Sequence, residues 1–361
     1  MLEHAYAVIM AGGRGERFWP LSTRRRPKQF LSLIGGKSLI TAAVDGLSGL
    51  LPPERVLIIT SADMVPATRD AVPALPAANI IAEPFGRDTA AAVALGAVVV
   101  GARDPQGVFC VLTADQVIGQ LDLYRRTLAE SLALAALEPV LVTIGIQPAF
   151  PSTGFGYIEA GEPMRQASGI EFLRASRFVE KPDRATADQY VKSGRYFWNS
   201  GMFVWSVEAI LGAFRLHRPA LSAMAERLVP AVEQPGFAEA LRREYEQLER
   251  ISIDYAVMEK AGNIAMAKGT FEWDDVGSWP AIASYFDPDE SGNIRIGDCA
   301  ALDSTGNIVV SNGRLTALIG VKDLIVVQAD GVTLVCPKDR AQDIKKLVEQ
   351  LRREPRYEPL L

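Results

Sequence analysis

Short apolar runs rich in β-branched residues alternate with helical stretches along the amino-terminal part of this chain. The runs occupy residues 6–10, 56–60, 79–82, 108–112 and 140–146. Because buried strands that alternate with helices form a mostly parallel sheet with helices on both faces, the pattern predicts an α/β fold. Ligands of such sheets bind beyond the carboxyl ends of the strands. Chemistry is therefore expected in the loops that follow these runs, which contain residues 12–28, residues 83–89 and Asp115.

The pattern of apolar and turn-forming residues changes at about residue 287. Before it, further strand-like segments are interpreted as an insertion that completes a pocket, at residues 156–160, 172–179 and 201–205. Beyond it, short β-like runs are separated by Gly, Asn and Asp, and a polar helix is predicted over residues 340–353. Because single cores stop growing at roughly 250 to 300 residues, we predict a large α/β domain over residues 1–286 and a small β-rich domain over residues 287–361. The repeat spacing of the second domain is too irregular to identify a solenoid, although a left-handed β-helix-like module is one form that it could take.

The composition excludes several function classes. A net charge of −5 argues against a broad nucleic-acid footprint, which needs a basic face. No apolar run approaches the ~20 residues of a membrane span, and residues 2–10 lack the basic start of a signal peptide, so we expect a cytoplasmic protein without a membrane partner. The cysteines, Cys110, Cys299 and Cys336, are interpreted as reduced core residues because none has the CxxC spacing of zinc sites.

A glycine-rich segment directly follows the first predicted strand. The sequence AGGRGERFWP occupies residues 11–20, and RRRPK occupies residues 24–28. Glycines after a strand let backbone amides approach a polyphosphate, and Arg17 and Lys28 can neutralise its charge. The segment is not a dinucleotide fingerprint, because Phe18 stands where a glycine is needed. Gly36 does not belong to a P-loop, because the glycine that this motif requires five residues upstream is missing. An ordinary glycine turn with solvated cations remains the alternative.

This loop resembles the signature of sugar-nucleotide pyrophosphorylases. The sequence EPFGRDTA at residues 83–90 is similar to a segment of the mannose-1-phosphate guanylyltransferase branch of that family. Further motifs follow in the family's order, with LTAD at residues 112–115, GFGYI at 154–158, FVEKP at 178–182, WNSGMF at 198–203 and WDDVGSW at 273–279. The resemblance covers about residues 5–340 and implies a Rossmann-like nucleotidyltransferase domain with a mixed, mostly parallel sheet.

The resemblance implies an activity with defined substrates. GMP would be transferred from GTP to α-D-mannose 1-phosphate, giving GDP-mannose and pyrophosphate. The same chemistry on glucose or heptose 1-phosphate, or with another nucleoside triphosphate, stays open. A catalytically silent sugar-nucleotide sensor is disfavoured because it would be expected to lose Lys28, Asp115 or Asp275. A glycosyltransferase with a DxD metal motif is disfavoured because the only such triplet, at residues 287–289, lies in an apparent linker.

The same resemblance implies three groups of site residues. The catalytic group is Arg17, Lys28, Asp115 and Asp275, and both aspartates would bind Mg²⁺ or Mn²⁺ through oxygen ligands of the type that Mg²⁺ prefers. The nucleotide-binding group is Ala11, Gly12, Gly13, Arg14, Gly15, Glu83, Pro84, Gly86, Arg87 and Thr89. The sugar-phosphate group is Gly156, Glu180, Lys181, Asn199 and Gly201.

The chemistry of the substrates explains why no catalytic base is expected. A sugar 1-phosphate is largely dianionic at neutral pH, since the second pKa of a phosphate monoester is ~6. The reaction instead needs charge neutralisation and in-line alignment. We assign Arg17 and Lys28 to the triphosphate and the leaving pyrophosphate, and Lys181 to the sugar phosphate. The Glu83 carboxylate could pair with the adjacent N1-H and 2-amino donors of guanine, although Glu83 could instead cap the following turn.

Several positions depart from the family pattern. Glu16 stands where a small hydroxyl residue is usual, Asp88 where Asn is frequent, and Thr113 and Gln116 where Pro and His are common. Because these positions flank the phosphate and base sites, nucleotide affinity or preference could be altered. Many bacterial relatives carry a fused isomerase domain, and we expect transferase activity alone. We also expect a homodimer formed through the β-rich carboxyl-terminal domain.

Overall fold

The computed structural model describes residues 2–13 and 15–361, which form two compact units. The first, called here the sheet unit, comprises the described residues of Met1–Gly12, Ala43–Ala114 and Ile118–Trp273. The second, called the loop unit, comprises those of Gly13–Ala42, Asp115–Val117 and Asp274–Leu361. Both units draw on separate parts of the sequence, and the division of the chain after residue 286 stays a prediction.

The described strands and helices follow one another in a mostly alternating order. The strands are β1 Ala5–Ala11, β2 Val56–Ser61, β3 Ile80–Glu83, β4 Val108–Thr113, β5 Val117–Ile118, β6 Leu141–Ile146, β7 Tyr157–Ala167, β8 Ile170–Val179, β9 Tyr196–Ser206, β10 Ile264–Gly269, β11 Trp273–Asp274, β12 Ile294–Ile296, β13 Cys299–Leu302, β14 Ile308–Val310, β15 Thr316–Ile319, β16 Leu324–Ala329 and β17 Val332–Pro337. The helices are α1 Leu39–Asp45, α2 Val65–Ala71, α3 Thr89–Arg103, α4 Leu121–Leu137, α5 Arg184–Ser193, α6 Val207–His217, α7 Pro219–Leu228, α8 Phe237–Glu246, α9 Trp279–Ala283 and α10 Ile344–Leu351.

The sheet unit is built on a nine-stranded mixed sheet with the order β3-β2-β1-β4-β9-β6-β10-β8-β7. Strands β1 to β4 are parallel, and β6 and β10 are parallel to each other, whereas β9 runs antiparallel to both β4 and β6. The predicted mostly parallel sheet is therefore confirmed. The interpretation of residues 201–205 as an inserted strand is wrong, because β9 lies inside the main sheet, where its Phe203 pairs with Val111.

Helix α3 carries much of the core of the sheet unit. Its sequence is apolar on every face, as expected for a helix that is buried all round, and residues from Ala90 to Gly101 are buried. The side chain of Asp88 caps the helix by accepting a hydrogen bond from the amide of Thr89 at 2.8 Å. A Cβ atom at Gly96 would lie 3.1 Å from Val8 Cγ1, so the glycine allows the helix to pack closely on β1.

The carboxyl-terminal part of the loop unit consists of short parallel strands. Strands β12, β14 and β16 pair in parallel, β13 pairs with β15 in parallel, and β17 closes the four-stranded sheet in the antiparallel sense. Ile294, Ile308 and Ile325 stand in one register and are buried, so successive coils share one core. The predicted β-rich module is confirmed. The predicted polar helix is shorter than expected, because residues 338–343 form a 3₁₀ turn before α10 begins. No helix among residues 2–13 and 15–361 combines the length and apolar character that a membrane span requires.

Candidate active site

The glycine-rich segment makes a tight turn at Gly15 in the loop unit. Gly15 has a φ of 61°, and a Cβ atom there would lie 2.2 Å from the Cβ atom of Lys28. Only glycine combines this backbone conformation with so close an approach. A short 3₁₀ turn over Glu16–Phe18 follows and buries the Phe18 ring. The close approach at Gly15 therefore places the backbone of Lys28 directly beside the turn. Arg14, predicted to bind the nucleotide, lies outside the described residues.

Lys28 is the centre of a polar cluster in the loop unit. Its side chain is only 7% exposed, and its Nζ atom donates to Asp115 Oδ2 at 2.9 Å and to the Asp275 carbonyl oxygen at 2.7 Å. Arg17 reaches the same segment with a long contact of 3.4 Å from Nη1 to the Gly277 carbonyl oxygen. The structure thus brings together all four residues predicted to be catalytic.

Two adjacent aspartates at residues 274 and 275 differ in their surroundings. Asp274 accepts hydrogen bonds from the Val276 amide at 2.7 Å and from the Tyr285 hydroxyl at 3.1 Å. Burial raises the pKa of Asp275, the Lys28 ammonium acts against this rise, and the charges of Asp274 and Asp115 act with it. Asp275 therefore lies in a partly desolvated environment with an excess of carboxylates.

The cluster fits a divalent cation that completes its shell with other ligands. Carboxylate oxygens are the ligands that Mg²⁺ prefers, and Mg²⁺ commonly binds through only one or two carboxylates together with substrate phosphates and water. In the described part of the chain, no group of three or more His, Cys, Asp or Glu side chains is arranged to hold a metal ion. Asp115 and Asp275 would thus form a partial site that depends on the phosphates of the substrates.

In the sheet unit, Glu83 ends strand β3 and is buried. Burial raises the pKa of the Glu83 carboxyl to about 7, and the backbone amide of Arg87 opposes the rise. The hydroxyl of the neighbouring Tyr245 donates to the Ala91 carbonyl oxygen at 3.0 Å. Its Oε1 atom has no hydrogen-bond partner among the residues that the structure describes. A Cβ atom on Gly12 would lie 3.9 Å from Glu83 Oε2. A buried acceptor without a donor is costly, by about 1–3 kcal/mol, so this oxygen is suited to accept a hydrogen bond from a ligand.

The segment after Glu83 is anchored to helix α8 and its surroundings. Arg87 donates from Nε to the Tyr245 carbonyl oxygen at 3.0 Å and from Nη2 to the Glu246 carbonyl oxygen at 3.1 Å. The Thr89 hydroxyl accepts from the Ile253 amide at 2.8 Å. These predicted nucleotide-binding side chains therefore hold the loop in place. Pro84 and Gly86 lie between them, half-buried and exposed respectively, while Ala11 ends β1 and Gly13 begins the loop unit.

The predicted sugar-phosphate residues also lie together in the sheet unit. The backbone amide of Asn199 donates to the Gly156 carbonyl oxygen at 2.8 Å, and Lys181 Nζ donates to Glu180 Oε1 at 2.6 Å. Partial burial acts to lower the pKa of Lys181, but the bond to Glu180 raises it overall. A Cβ atom on Gly156 would lie 2.4 Å from Glu180 Oε2, so a larger residue at this position would displace the carboxylate from its present place. Glu180 Oε2 is buried and, among the described residues, has no hydrogen-bond partner.

Sequence reasoning missed Asp254, which shares this cluster. Asn199 Nδ2 donates to Asp254 Oδ1 at 2.9 Å, while Asn199 Oδ1 accepts from Thr143 Oγ1 at 3.0 Å and from the Gly201 amide at 3.2 Å. Burial, and next the charge of Glu180, raise the pKa of Asp254 to about 7. Asp254 thus fixes the orientation of the side-chain amide of Asn199. The available signal was an acidic residue in the otherwise apolar sequence ISIDYAVM at residues 251–258.

Aromatic rings pack beside Asn199. The Trp198 ring lies 4.8 Å from that of Phe150 and 5.1 Å from that of Phe155, measured between centroids, in edge-on arrangements. Trp198 is buried, with 5% of its surface exposed. Edge-to-face aromatic pairs at such distances add to the stabilisation from burial. Trp198 therefore serves to pack β9 and so to position Asn199.

A large cleft lies elsewhere in the sheet unit. It has a volume of about 920 Å³ and is lined by residues that precede β1, β4, β6 and β10, among them both histidines, His4 and His217. It therefore lies at the amino ends of the parallel strands. None of the predicted site residues lines it. Because ligands of open α/β sheets bind beyond the carboxyl ends of the strands, its size does not make it the candidate active site.

Comparison with known proteins decides the family. A family model described as nucleotidyl transferase matches residues 6–291, and one described as MannoseP isomerase/GMP-like beta-helix domain matches residues 297–351. The chain is 34% identical over 360 residues to mannose-1-phosphate guanylyltransferase 2 of Escherichia coli O157:H7, covering 98% of this chain and 74% of that protein. The chain belongs to the mannose-1-phosphate guanylyltransferase family.

Other members of the mannose-1-phosphate guanylyltransferase family support this assignment. A mannose-1-phosphate guanylyltransferase of Klebsiella pneumoniae is 36% identical over 354 residues, which cover 97% of this chain and 74% of that protein. A solved structure from Thermus thermophilus, described as a mannose-1-phosphate geranyltransferase, superposes with a TM-score of 0.85 at 37% identity and covers 97% of this chain and 99% of that one. The resemblance, the nucleotidyltransferase fold and the enzyme class are therefore confirmed.

Proposed function

We propose that this protein transfers GMP from GTP to α-D-mannose 1-phosphate, giving GDP-mannose and pyrophosphate. The observation that carries the proposal is the convergence of Arg17, Lys28, Asp115 and Asp275 in a chain about a third identical to proteins named for this reaction. Glucose or heptose 1-phosphate, or another nucleoside triphosphate, remains the alternative. Those substrates would use the same phosphate chemistry.

In the proposed reaction, a phosphate oxygen of the sugar 1-phosphate attacks the α-phosphorus of GTP. A new P–O bond forms, the bond from the α-phosphorus to the bridging oxygen breaks, and pyrophosphate leaves with that oxygen. The residues of this chain align the phosphates and neutralise their charge, which are the main sources of catalysis in such displacements. Lys28 and Arg17 face the triphosphate, and Lys181 holds the sugar phosphate.

Asp115 and Asp275 would hold a divalent cation, Mg²⁺ or Mn²⁺. The nucleotidyltransferase family generally uses such an ion. When bound, the cation would supply positive charge to the phosphate oxygens during the displacement. The donor set supports this proposal, because burial and neighbouring carboxylates already raise the pKa of Asp275. A cation next to Asp275 would stabilise the ionised carboxylate against both the burial and the neighbouring negative charges.

A substrate panel tests the activity. The purified protein is incubated with mannose, glucose and heptose 1-phosphates in combination with each of the four nucleoside triphosphates, and pyrophosphate release is measured. We expect the highest kcat/KM for the pair of GTP and mannose 1-phosphate. A higher kcat/KM for another sugar 1-phosphate would replace mannose in the proposal, and a higher value for another triphosphate would replace GTP.

Glu83 is proposed to recognise guanine. The base presents its N1-H and 2-amino donors side by side, and an ionised carboxylate can accept both. Glu83 is buried, and its Oε1 atom has no hydrogen-bond partner among the residues that the structure describes, which supports this pairing. Glu83→Gln places a donor where guanine offers a donor, so the preference for GTP over other triphosphates in kcat/KM should fall by about tenfold or more. Steady-state kinetics with GTP and ATP measures this ratio.

A pH profile provides the control for this prediction. Since the pKa of Glu83 is about 7 in the free protein, and guanine pairs with the ionised form, GTP binding should favour deprotonation and weaken as the pH falls through 7. The glutamine side chain of the Glu83→Gln variant does not titrate, so the GTP preference of that variant should be insensitive to pH in this range. An unchanged GTP preference in Glu83→Gln would show that guanine is read elsewhere, for example by the backbone of Gly12 or of residues 84–87.

The β-rich carboxyl-terminal module is proposed to form a homodimer with a second copy of the chain. Alternate residues of the paired strands β13 and β15 expose apolar side chains, with Leu302 opposite Ile319 and exposed fractions of 59% and 73%. An exposed apolar sheet face of this kind favours association. Deletion of the residues after Asp287 should change the mass in solution, but it would also remove residues that pack with Phe18 and Trp19.

Surface variants test the dimer more sharply than deletion. Leu302→Glu combined with Ile319→Glu should yield a monomer, because charges placed in an apolar interface lose their hydration. Light scattering coupled to size-exclusion chromatography measures the mass. Val335→Glu is the matched control, since Val335 is 57% exposed but belongs to β17 of the other small sheet. A double variant with the mass of the parent dimer would contradict this interface.

A further inference from the structure

The end of the chain returns to the glycine-rich loop within the loop unit. Arg352 follows helix α10, and its Nη2 atom donates to Glu16 Oε1 at 2.5 Å. The Glu16 side chain is 16% exposed and the Arg352 side chain 32% exposed. Glu16 begins the 3₁₀ turn that directly follows Gly15. An ion pair thus connects residues 336 positions apart in the sequence.

Backbone hydrogen bonds anchor the residues after Arg352 to the same loop. The Trp19 indole nitrogen donates to the Leu360 carbonyl oxygen at 2.8 Å, and the Arg24 amide donates to the backbone oxygen of Leu361 at 2.9 Å. Leu361 is 6% exposed and shares a core cluster with Phe18 and Trp19. Residues 352–361, called here the strap, therefore lie along the loop and hold Arg352 beside Glu16.

The charge of Glu16 conflicts with the proposed role of this loop. Backbone amides and cations of the loop are proposed to bind a triphosphate, and a carboxylate in the same turn repels an anion. Because both partners are partly buried, their attraction is less screened than that of the exposed pair formed by Arg24 and Glu358, whose side chains are 56% and 71% exposed.

We propose that Arg352 is a positioning residue that neutralises Glu16 and thereby keeps the glycine-rich loop able to bind the triphosphate of GTP. The proposal rests on the proposed role of the loop in binding GTP. Arg352 acts through Glu16 and touches no reacting atom. The strap makes the interaction possible by fixing where helix α10 ends relative to the turn at residues 16–18.

The test compares Arg352→Gln, Glu16→Gln and the double variant. Arg352→Gln leaves Glu16 unpaired, and the KM for GTP should rise about tenfold, the scale of one partly screened charge near a polyanion. The kcat value and the KM for mannose 1-phosphate should change little. Glu16→Gln should not raise the KM for GTP, and the double variant should return it to within about twofold of the parent value, because the unpaired charge is then absent.

Controls separate this inference from folding defects and from the proposed function. Arg353→Gln changes the adjacent exposed arginine, which forms no side-chain ion pair or hydrogen bond with the described residues, and should behave as the parent. Thermal melting of all variants measures stability. An unchanged KM for GTP in Arg352→Gln, or a double variant as impaired as Arg352→Gln, would overturn the inference. Arg17→Gln tests the loop itself, since normal GTP kinetics in that variant would instead remove the proposed role of the loop.

Discussion

Asp275→Ala is expected to lower kcat by roughly 10²-fold or more, and Asp115→Ala by a similar factor, the scale seen when preorganised stabilisation of a transition state is lost. Both side chains are proposed to hold the divalent cation that neutralises the phosphates. The measurement is kcat for GDP-mannose formation at saturating substrates with added Mg²⁺ or Mn²⁺. The fold should persist, because Asp115 is 40% exposed and the aspartates are not part of the apolar core.

The neighbouring Asp274 provides a matched control. Its two oxygens accept hydrogen bonds from the Val276 amide and the Tyr285 hydroxyl, so its role is to hold the turn. Asp274→Asn keeps one acceptor for the Val276 amide and removes one negative charge, as Asp275→Asn also does. We expect Asp275→Asn to reduce kcat far more than Asp274→Asn. Full activity of the parent in excess chelator, or equal losses in the two asparagine variants, would contradict the assignment of the metal ligand.

Lys28→Met is the second change for which a large effect is expected, again a fall in kcat of roughly 10²-fold. The Lys28 charge is needed most when negative charge develops on the leaving pyrophosphate, so kcat should suffer more than the KM for the sugar phosphate. The structure adds a second cause. Lys28 also donates to Asp115 and to the Asp275 carbonyl oxygen, so methionine would leave these acceptors without their donor.

Lys181→Met is the companion variant and should show the opposite pattern. Its Nζ atom is 2.6 Å from Glu180 Oε1 in the cluster proposed to bind the sugar phosphate. Loss of this cation should raise the KM for mannose 1-phosphate with a smaller effect on kcat, because ground state and transition state are then weakened alike. Steady-state kinetics with each substrate varied in turn measures both patterns. If both lysine variants raised only the KM for the sugar phosphate, the proposed division between Lys28 and Lys181 would be wrong.

The sequence by itself determined the class of fold and the family. Alternation of apolar runs and helices predicted strands β1, β2, β3, β4 and β6 to within a residue or two of their bounds. Strands and buried helices are visible in this way because their periodicity is local. The motifs likewise identified the family, since each is a short stretch that can be recognised without knowledge of its distant partners.

Only the tertiary structure decided how these elements pair. Strand β9 lies antiparallel between β4 and β6, although its apolar run was interpreted as part of an insertion. An apolar run shows that a strand is buried but not which neighbours it has or in which direction it runs. Pairing depends on the burial of whole faces of the sheet, and it involves strands that are far apart in the sequence.

The partners of charged residues were also beyond the reach of the sequence. Lys28 donates hydrogen bonds to Asp115 and Asp275, which are 87 and 247 positions away in the sequence. Arg352 donates to Glu16, which is 336 positions away. The sequence showed adjacent aspartates at 274 and 275 but could not show which of them holds the turn. A charge is paired or isolated according to what the folded chain places within a few ångströms of it. The residue types were therefore readable from the sequence, whereas their contacts were set by long-range packing.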